Sequence, residues 1–179
     1  MNRSQQVNPH FLFNSLNILD CLVCEQKTEQ ASTYIHKLAA IYRYLLRNEE
    51  ERLVKLRDEM DFVEQYVDLL KVRFPEGLEI GMDIPADKLN RRVVPCSVQL
   101  LIENATKHNA VSPEKPLHIN VCCEDDNVVV SNTLNPKVSS GPSTGLGLKY
   151  LREQYHDVAG KEAVVRMSED EYPVVIPLI

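Results

Sequence analysis

Apolar side chains recur at three- and four-residue steps near the start of the chain, a spacing that predicts an amphipathic helix. On a helical projection, a wide apolar arc contains Phe11, Leu12, Leu16, Ile18, Leu19, Leu22 and Val23. The narrow polar stripe consists of His10, Asn14, Asn17 and Cys21. Asn8 is a favourable N-cap, and Pro9 suits the first helical position because it has no N–H to leave unpaired. We therefore predict that the helix begins at Pro9 and that the imidazole of His10 faces water or a partner domain.

A second amphipathic pattern follows a polar connection at 25–28, and its apolar positions are Ala31, Tyr34, Ile35, Leu38, Ile41, Tyr42 and Leu45. Two helices joined by a short loop form an antiparallel hairpin, which cannot bury both apolar faces alone. Either a second copy completes a four-helix bundle, or the hairpin packs onto the rest of its own chain. The charged segment 48–52 predicts a boundary between a helical dimerisation region, 1–50, and a second domain, 51–179.

The second part of the chain mixes helical and strand patterns. The predicted elements are, in order, a helix over 56–73, a strand over 78–84, a helix over 95–109, two strands over 117–123 and 127–131 joined by an acidic turn, a loop over 133–144, a helix from 145 to about 160, and strands over 163–167 and 173–179. Every segment is of ordinary globular length, and no internal repeat is visible.

The composition of the chain argues against several classes of function. A net charge of −6 provides no basic field for nucleic acid, and aromatic and basic residues are not interleaved as a single-strand platform would require. No window approaches the length of a transmembrane helix. The five cysteines, without an export signal, indicate reduced thiols in a cytosol. Cys21 and Cys24 form a CxxC, but no second ligand pair follows at metal-site spacing, so ordinary thiols are favoured over a zinc or redox role.

The residues around His10 are the first candidate for chemistry. From spacing alone, His10 is a solvated residue in the first turn of a helix. The string is Gln6-Val7-Asn8-Pro9-His10-Phe11-Leu12-Phe13-Asn14-Ser15-Leu16-Asn17. It resembles the phosphoacceptor box of LytS/YehU-type sensor histidine kinases, in which a His-kinase domain precedes a GHKL (Bergerat-type) ATPase domain. This resemblance implies that His10 accepts the γ-phosphoryl group of ATP. Asn14, one turn on, either orients the imidazole or a water, or is a solvated polar residue.

The helix predicted over 95–109 has an unusually polar end, Leu100-Leu101-Ile102-Glu103-Asn104-Ala105-Thr106-Lys107-His108-Asn109. Ordinary pairing at i,i+4 explains each polar residue singly. Together they resemble the N-box of GHKL ATPases, which lies along the bound nucleotide. The resemblance implies that Asn104 helps to hold Mg²⁺ and that Glu103 is a polar or basic group near the γ-phosphate. It also implies that Lys107 and His108 supply cationic or hydrogen-bonding contacts to phosphate.

A glycine pair opens the helix predicted from residue 145, in the string Ser143-Thr144-Gly145-Leu146-Gly147-Leu148. A bare turn uses similar residues, but the order of the elements makes this string similar to the G2 box of the family. Glycines let the backbone approach phosphates, and helix-start N–H groups favour anionic oxygens. The resemblance thus implies nucleotide contacts from Thr144, Gly145, Leu146, Gly147 and Leu148.

One motif departs from the family. Where an Asp-x-Gly-x-Gly box is expected, the chain has Val130-Ser131-Asn132-Thr133-Leu134-Asn135, so Asn132 takes the place of the aspartate that accepts a hydrogen bond from adenine. Both glycines are missing. Because a neutral acceptor makes a weaker hydrogen bond than a charged one, we predict reduced or altered ATP affinity.

The resemblance covers almost the whole chain, including a linking helix that ends in Arg73-Phe74, as it usually does in the family. By itself, Arg73 is a solvated helix end. The implied fold is α+β: a helical hairpin that dimerises into a four-helix bundle, then a GHKL-type α/β sandwich with a mixed sheet.

The implied function is ATP- and Mg²⁺-dependent autophosphorylation of His10 in a homodimer, followed by transfer to an aspartate of a response regulator's receiver domain. Because the phosphoacceptor box begins near Met1, we expect a cytoplasmic portion of an inner- or plasma-membrane sensor. The alternative is a dimeric signalling scaffold with a degenerate ATPase domain that acts by binding partners, which the Asn132 departure favours. An ATP-hydrolysing machine of the chaperone or topoisomerase type would not need the phosphoacceptor string.

Overall fold

A computed structural model of the chain describes residues 9–138, 146–166 and 168–179. The helices are α1 (Pro9–Cys24), α2 (Thr28–Arg47), α3 (Leu56–Arg73), α4 (Ser97–His108) and α5 (Leu146–Ala159). The strands are β1 (Val54–Lys55), β2 (Leu78–Asp83), β3 (Arg92–Val93), β4 (Leu117–Glu124), β5 (Asn127–Asn132), β6 (Val164–Val165) and β7 (Val174–Pro177). Both predicted ends of α3 are confirmed, whereas the predicted start of α1 adjoins residues 1–8, which lie outside the described residues, and stays a prediction. No helix among the described residues combines the length and apolar content needed to cross a membrane.

The main sheet has five strands in the order β2-β4-β5-β7-β6. β2 runs parallel to β4, and the other neighbours are antiparallel, so the predicted mixed sheet and α+β class are confirmed. Alternate residues of β4 are buried, namely Leu117, Ile119 and Val121. The short β1 pairs with β3 in a separate two-stranded sheet, which the sequence did not predict because strands of two residues show no periodicity.

The hairpin of α1 and α2 packs onto α3 of its own chain. Tyr44 stacks on Phe62, with ring centroids 4.2 Å apart, and Phe11 contacts Tyr66 at 5.5 Å. This is one of the two arrangements that the sequence left open. Large apolar side chains of the hairpin nevertheless remain exposed, namely Leu12, Phe13, Leu16, Val23, Ile35 and Leu46. Pairing with a second copy therefore stays a prediction.

A fully buried carboxylate joins three helices. Glu59 on α3 accepts hydrogen bonds from the hydroxyl of Tyr44 at 2.9 Å, the backbone N–H of Cys96 at 2.9 Å and that of Val98 at 3.3 Å. Burial raises the pKa of Glu59 to about 7, although these hydrogen bonds act to lower it. Glu59 thus connects α2 to the first turn of α4, whose N–H groups have no partner within the helix.

The start of α4 differs from the prediction. Cys96 has a φ of 64°, a left-handed conformation, so the helix begins at Ser97 rather than at Pro95. The hydroxyl of the buried Tyr155 donates to Ser97 Oγ at 3.3 Å and accepts from the N–H of Val94 at 3.2 Å. These contacts hold α5 against the start of α4.

Candidate functional site

A cavity of about 250 Å³ lies among α1, α2, α3 and α4. Residues from the phosphoacceptor string and from the polar end of α4 both line it. The lining consists of Phe11, Asn14, Ser15, Ile18, Tyr34, Tyr66, Leu69, Leu70, Arg73, Glu103, Thr106, Lys107 and Lys137. Of the predicted site residues, three therefore meet at one cavity: Asn14, Glu103 and Lys107.

His10 lies in the first turn of α1, but its side chain lies outside the described residues. The residues that follow it show where this part of the helix is placed. Phe11 packs on Tyr66, and Asn14, one turn after His10, is half-buried and lines the cavity. Asn14 is thus not a fully solvated residue, which was the alternative for this position.

Ser15 and Tyr34 form a polar contact that the sequence did not predict. Ser15 is 1% exposed, and its side chain forms a hydrogen bond with that of Tyr34 on α2. Burial raises the pKa of Tyr34, and this hydrogen bond partly offsets the rise. Ser15 lies four residues after Phe11 and three before Ile18, a spacing that could have indicated a shared buried face.

The carboxylate of Glu103 is held in place by a neighbour on the same helix. Its Oε2 accepts a hydrogen bond from Gln99 Nε2 at 3.2 Å. Gln99 also forms a hydrogen bond with Tyr66, whose pKa is raised by burial and by the negative charge of Glu103. A chain of polar contacts therefore connects α3 to the N-box helix at the wall of the cavity.

Lys137 is a site residue that the sequence did not indicate, because it lies in the segment 133–144 predicted only as a loop. Its backbone N–H donates to His108 O at 3.2 Å, and its ammonium group donates to Thr106 O at 3.3 Å. Asn109 Oδ1 accepts from the N–H of Asn135 at 2.8 Å. The described part of this loop is therefore bound to the C-terminal end of α4.

His108 is half-buried and is not among the residues that line the cavity. Burial lowers its pKa, and the charges of Lys107 and Lys137 lower it further. A neutral imidazole is thus favoured at pH 7. Of the two contacts expected from His108, a hydrogen bond to phosphate fits this state better than a cationic contact.

Asn104 of the N-box string and Gly147 of the G2 string lie next to each other. A Cβ atom added to Gly147 would lie 3.3 Å from Asn104 Nδ2 and 3.6 Å from Oδ1. Glycine therefore leaves space beside an amide oxygen, a hard ligand of the type that Mg²⁺ prefers. The residues present thus fit a magnesium-bound nucleotide.

The remaining residues of the predicted G2 box are only partly described. Leu146 is the first described residue of α5, but its side chain is outside the described residues, as are Thr144 and Gly145 entirely. Leu148 is half-buried and packs against the hydrophobic core. The predicted nucleotide contacts of these four residues stay predictions.

Asn132 lies at the end of β5 and is 8% exposed. Its Nδ2 donates to Thr133 O at 2.9 Å, which orients the side chain. No described residue donates to Asn132 Oδ1, so this atom has the acceptor capacity that recognition of an adenine amine requires. The two missing glycines correspond to Leu134 and Pro136, and Pro136 forms a β-bridge with Asn109.

The protein is of the α+β class. A helical hairpin that carries His10 packs on an α/β sandwich, in which the polar end of α4 lies beside Gly147. A family model described as histidine kinase matches residues 2–78. The sensor histidine kinase BtsS of Escherichia coli K12 is 31% identical over 87% of this chain and 29% of its own length. The sensor protein LytS of Bacillus cereus is 28% identical over 96% of this chain and 33% of its own length.

The chain is similar to histidine kinases, and its relatives include sensor kinases named LytS and BtsS. It spans about a third of the length of the curated relatives it matches. Among solved structures, the nucleotide-free catalytic domain of the histidine kinase ThkA has a TM-score of 0.47 and 16% identity, over 70% of this chain and 93% of that chain. The similarity to histidine kinases rests on the sequence matches.

Proposed function

We propose that this chain is the transmitter portion of a two-component sensor histidine kinase. It transfers the γ-phosphoryl group of ATP to His10 and then to an aspartate in the receiver domain of a response regulator. The main support is the cavity that residues next to His10 share with Glu103 and Lys107 of α4. The proximity of Asn104 to Gly147 favours a working nucleotide site over the scaffold alternative.

In this proposal, His10 attacks as a neutral imidazole. The lone pair of its unprotonated nitrogen forms the new bond to the γ-phosphorus, and the bond to the bridging oxygen breaks with its electron pair left on ADP. The proton on the other ring nitrogen then leaves to a base, the role proposed for Glu103. Asn14 orients the imidazole or a water from one helical turn away.

The other site residues hold the nucleotide. Lys107 neutralises phosphate charge, and His108 contributes a hydrogen bond. Mg²⁺, for which Asn104 Oδ1 is the proposed protein ligand, neutralises phosphate charge when bound. The backbone of 144–148 approaches the phosphates, and Asn132 Oδ1 accepts from the adenine amine.

The assembly belongs to the same proposal. Residues 1–50 form the dimerisation and phosphoacceptor region, and 51–179 form the ATP-binding domain. The exposed apolar residues of α1 and α2 support a homodimer, since a hairpin with both faces satisfied would not expose them together. The chain is proposed to act in the cytoplasm as part of a membrane sensor.

The direct test is incubation with Mg²⁺ and γ-labelled ATP. We expect acid-labile label on the wild-type protein and at least about a 100-fold loss in His10→Gln, because glutamine has no nucleophilic ring nitrogen. His36→Gln changes an exposed histidine of α2 and should label like the wild type. Label retained in His10→Gln would contradict the assigned phosphoacceptor. A dimer that binds nucleotide but takes up no label would favour the scaffold.

A second prediction concerns the adenine contact. Asn132→Asp should tighten binding of Mg-ATP by about 5-fold, since a charged acceptor strengthens a hydrogen bond by about 1 kcal/mol. It should also lower stability by about 1 kcal/mol, because a carboxylate cannot donate to Thr133 O. Calorimetric titration measures the first effect, and thermal unfolding measures the second. Asn127→Asp, at the other end of β5, should leave the dissociation constant unchanged, and equal affinities for all three proteins would refute the adenine contact.

A further inference from the structure

Arg73 is the last residue of α3, and it lines the cavity together with Lys107 of α4. From the sequence alone it is a solvated helix end, but the fold places it beside two buried tyrosines. The positive charge of Arg73 acts on the hydroxyls of Tyr34 and Tyr66, where it partly offsets the rise in pKa that burial causes. Arg73 is thus exposed to solvent and also lines the cavity.

The guanidinium group packs on an aromatic ring and has no carboxylate partner among the described residues. Its central carbon lies 4.9 Å from the ring centroid of Phe74, a cation–π contact that restricts its position. Within the described part of the chain, neither Arg73 nor Lys107 takes part in an ion pair. Two cations at this cavity are therefore available for an anion.

The charge around the cavity favours an anionic ligand. Among the described lining residues, the cations are Arg73, Lys107 and Lys137, and the one carboxylate is Glu103. This excess of positive charge attracts phosphate oxygens, and the cavity has ample room for a single phosphoryl group. The planar guanidinium fork can bind two oxygens of one phosphate at once, which an ammonium group cannot do.

We propose that Arg73 binds the phosphoryl group during its transfer to His10, as a cation from outside the nucleotide-binding helix. This inference rests on the proposed function. Charge spreads over the three equatorial oxygens as the phosphoryl group leaves ADP, so a cation beside it stabilises the transition state more than bound ATP. Arg73 should therefore affect the rate of labelling and have little effect on nucleotide affinity.

The test compares single-turnover labelling rates and Mg-ATP dissociation constants for Arg73→Gln, Arg73→Lys and Lys71→Gln. Arg73→Gln should lower the rate by about 100-fold while the dissociation constant changes by less than about 3-fold. Arg73→Lys keeps the charge but loses the fork, so an intermediate loss of about 10-fold is expected. Lys71 lies in the same helical turn, is exposed and does not line the cavity, so its variant should match the wild type.

Two results would overturn the role of Arg73 while leaving the kinase function in place. One is a wild-type rate in Arg73→Gln. The other is a rise in the dissociation constant as large as the fall in rate, which would make Arg73 an ordinary nucleotide contact. Thermal unfolding of each variant identifies a folding defect. If Arg73→Gln is misfolded, the labelling rate of Arg73→Lys tests the role of the guanidinium group instead. Absence of label on the wild type would instead overturn the proposed function itself.

Discussion

Glu59→Ala should lower the free energy of unfolding by about 3–5 kcal/mol, the largest loss of stability we expect from any of these substitutions. The carboxylate is fully buried, and its removal leaves the hydroxyl of Tyr44 and the N–H of Cys96 without their acceptor. Each unpaired buried donor costs about 1–3 kcal/mol, and the vacated volume adds to this cost. Urea unfolding at pH 7, followed by circular dichroism, measures the change.

Glu59→Gln is the matched control, because it keeps the shape and an acceptor oxygen but cannot ionise. Burial raises the pKa of Glu59 from about 4.5 to about 7, so between these values the folded state binds the proton that the unfolded state has released. Stability should therefore fall as pH rises through this window, by roughly 3 kcal/mol in the wild type. The free energy of unfolding should depend much less on pH in Glu59→Gln. Equal slopes, or an alanine variant within about 0.5 kcal/mol of the wild type, would show that Glu59 is not the buried acceptor described.

Asn104→Ala should reduce labelling of His10 by at least about 100-fold, the largest effect on activity expected from a residue of the nucleotide site. Alanine removes the proposed oxygen ligand of Mg²⁺ beside Gly147, so nucleotide affinity and rate should both fall. This pattern differs from that expected for Arg73→Gln, in which only the rate falls. Titration with Mg-ATP, run together with the labelling assay, distinguishes a loss of both affinity and rate from a loss of rate alone.

Asn120→Ala is a suitable control, because Asn120 is an exposed amide of β4 and belongs to none of the matched motifs. Asn104→Asp restores an oxygen ligand and should recover part of the activity lost in Asn104→Ala. If Asn104→Ala labelled like Asn120→Ala, the proposed magnesium site would be wrong. If the wild type bound no nucleotide under conditions in which it dimerises, the scaffold alternative would replace the kinase proposal.

Most helices and strands, and the motifs on them, could be predicted from the amino-acid sequence. The ends of α3 at Leu56 and Arg73 match the predictions because apolar spacing and helix-stopping residues act over one or two turns. The phosphoacceptor and N-box strings indicated their chemistry before any fold was known. The adjacency of Asn104 to Gly147, by contrast, is established only by the fold.

Which polar residues are buried, and which of them share the cavity, became evident only from the folded chain. Glu59 is one of many acidic residues in helical patterns, and it is buried only because Tyr44 and the start of α4 supply its donors. Arg73 and Lys137 reach the cavity because distant elements bring them to α4. Local patterns depend on neighbouring residues, whereas burial, shifted pKa values and convergent charge depend on contacts between segments that are far apart in the chain.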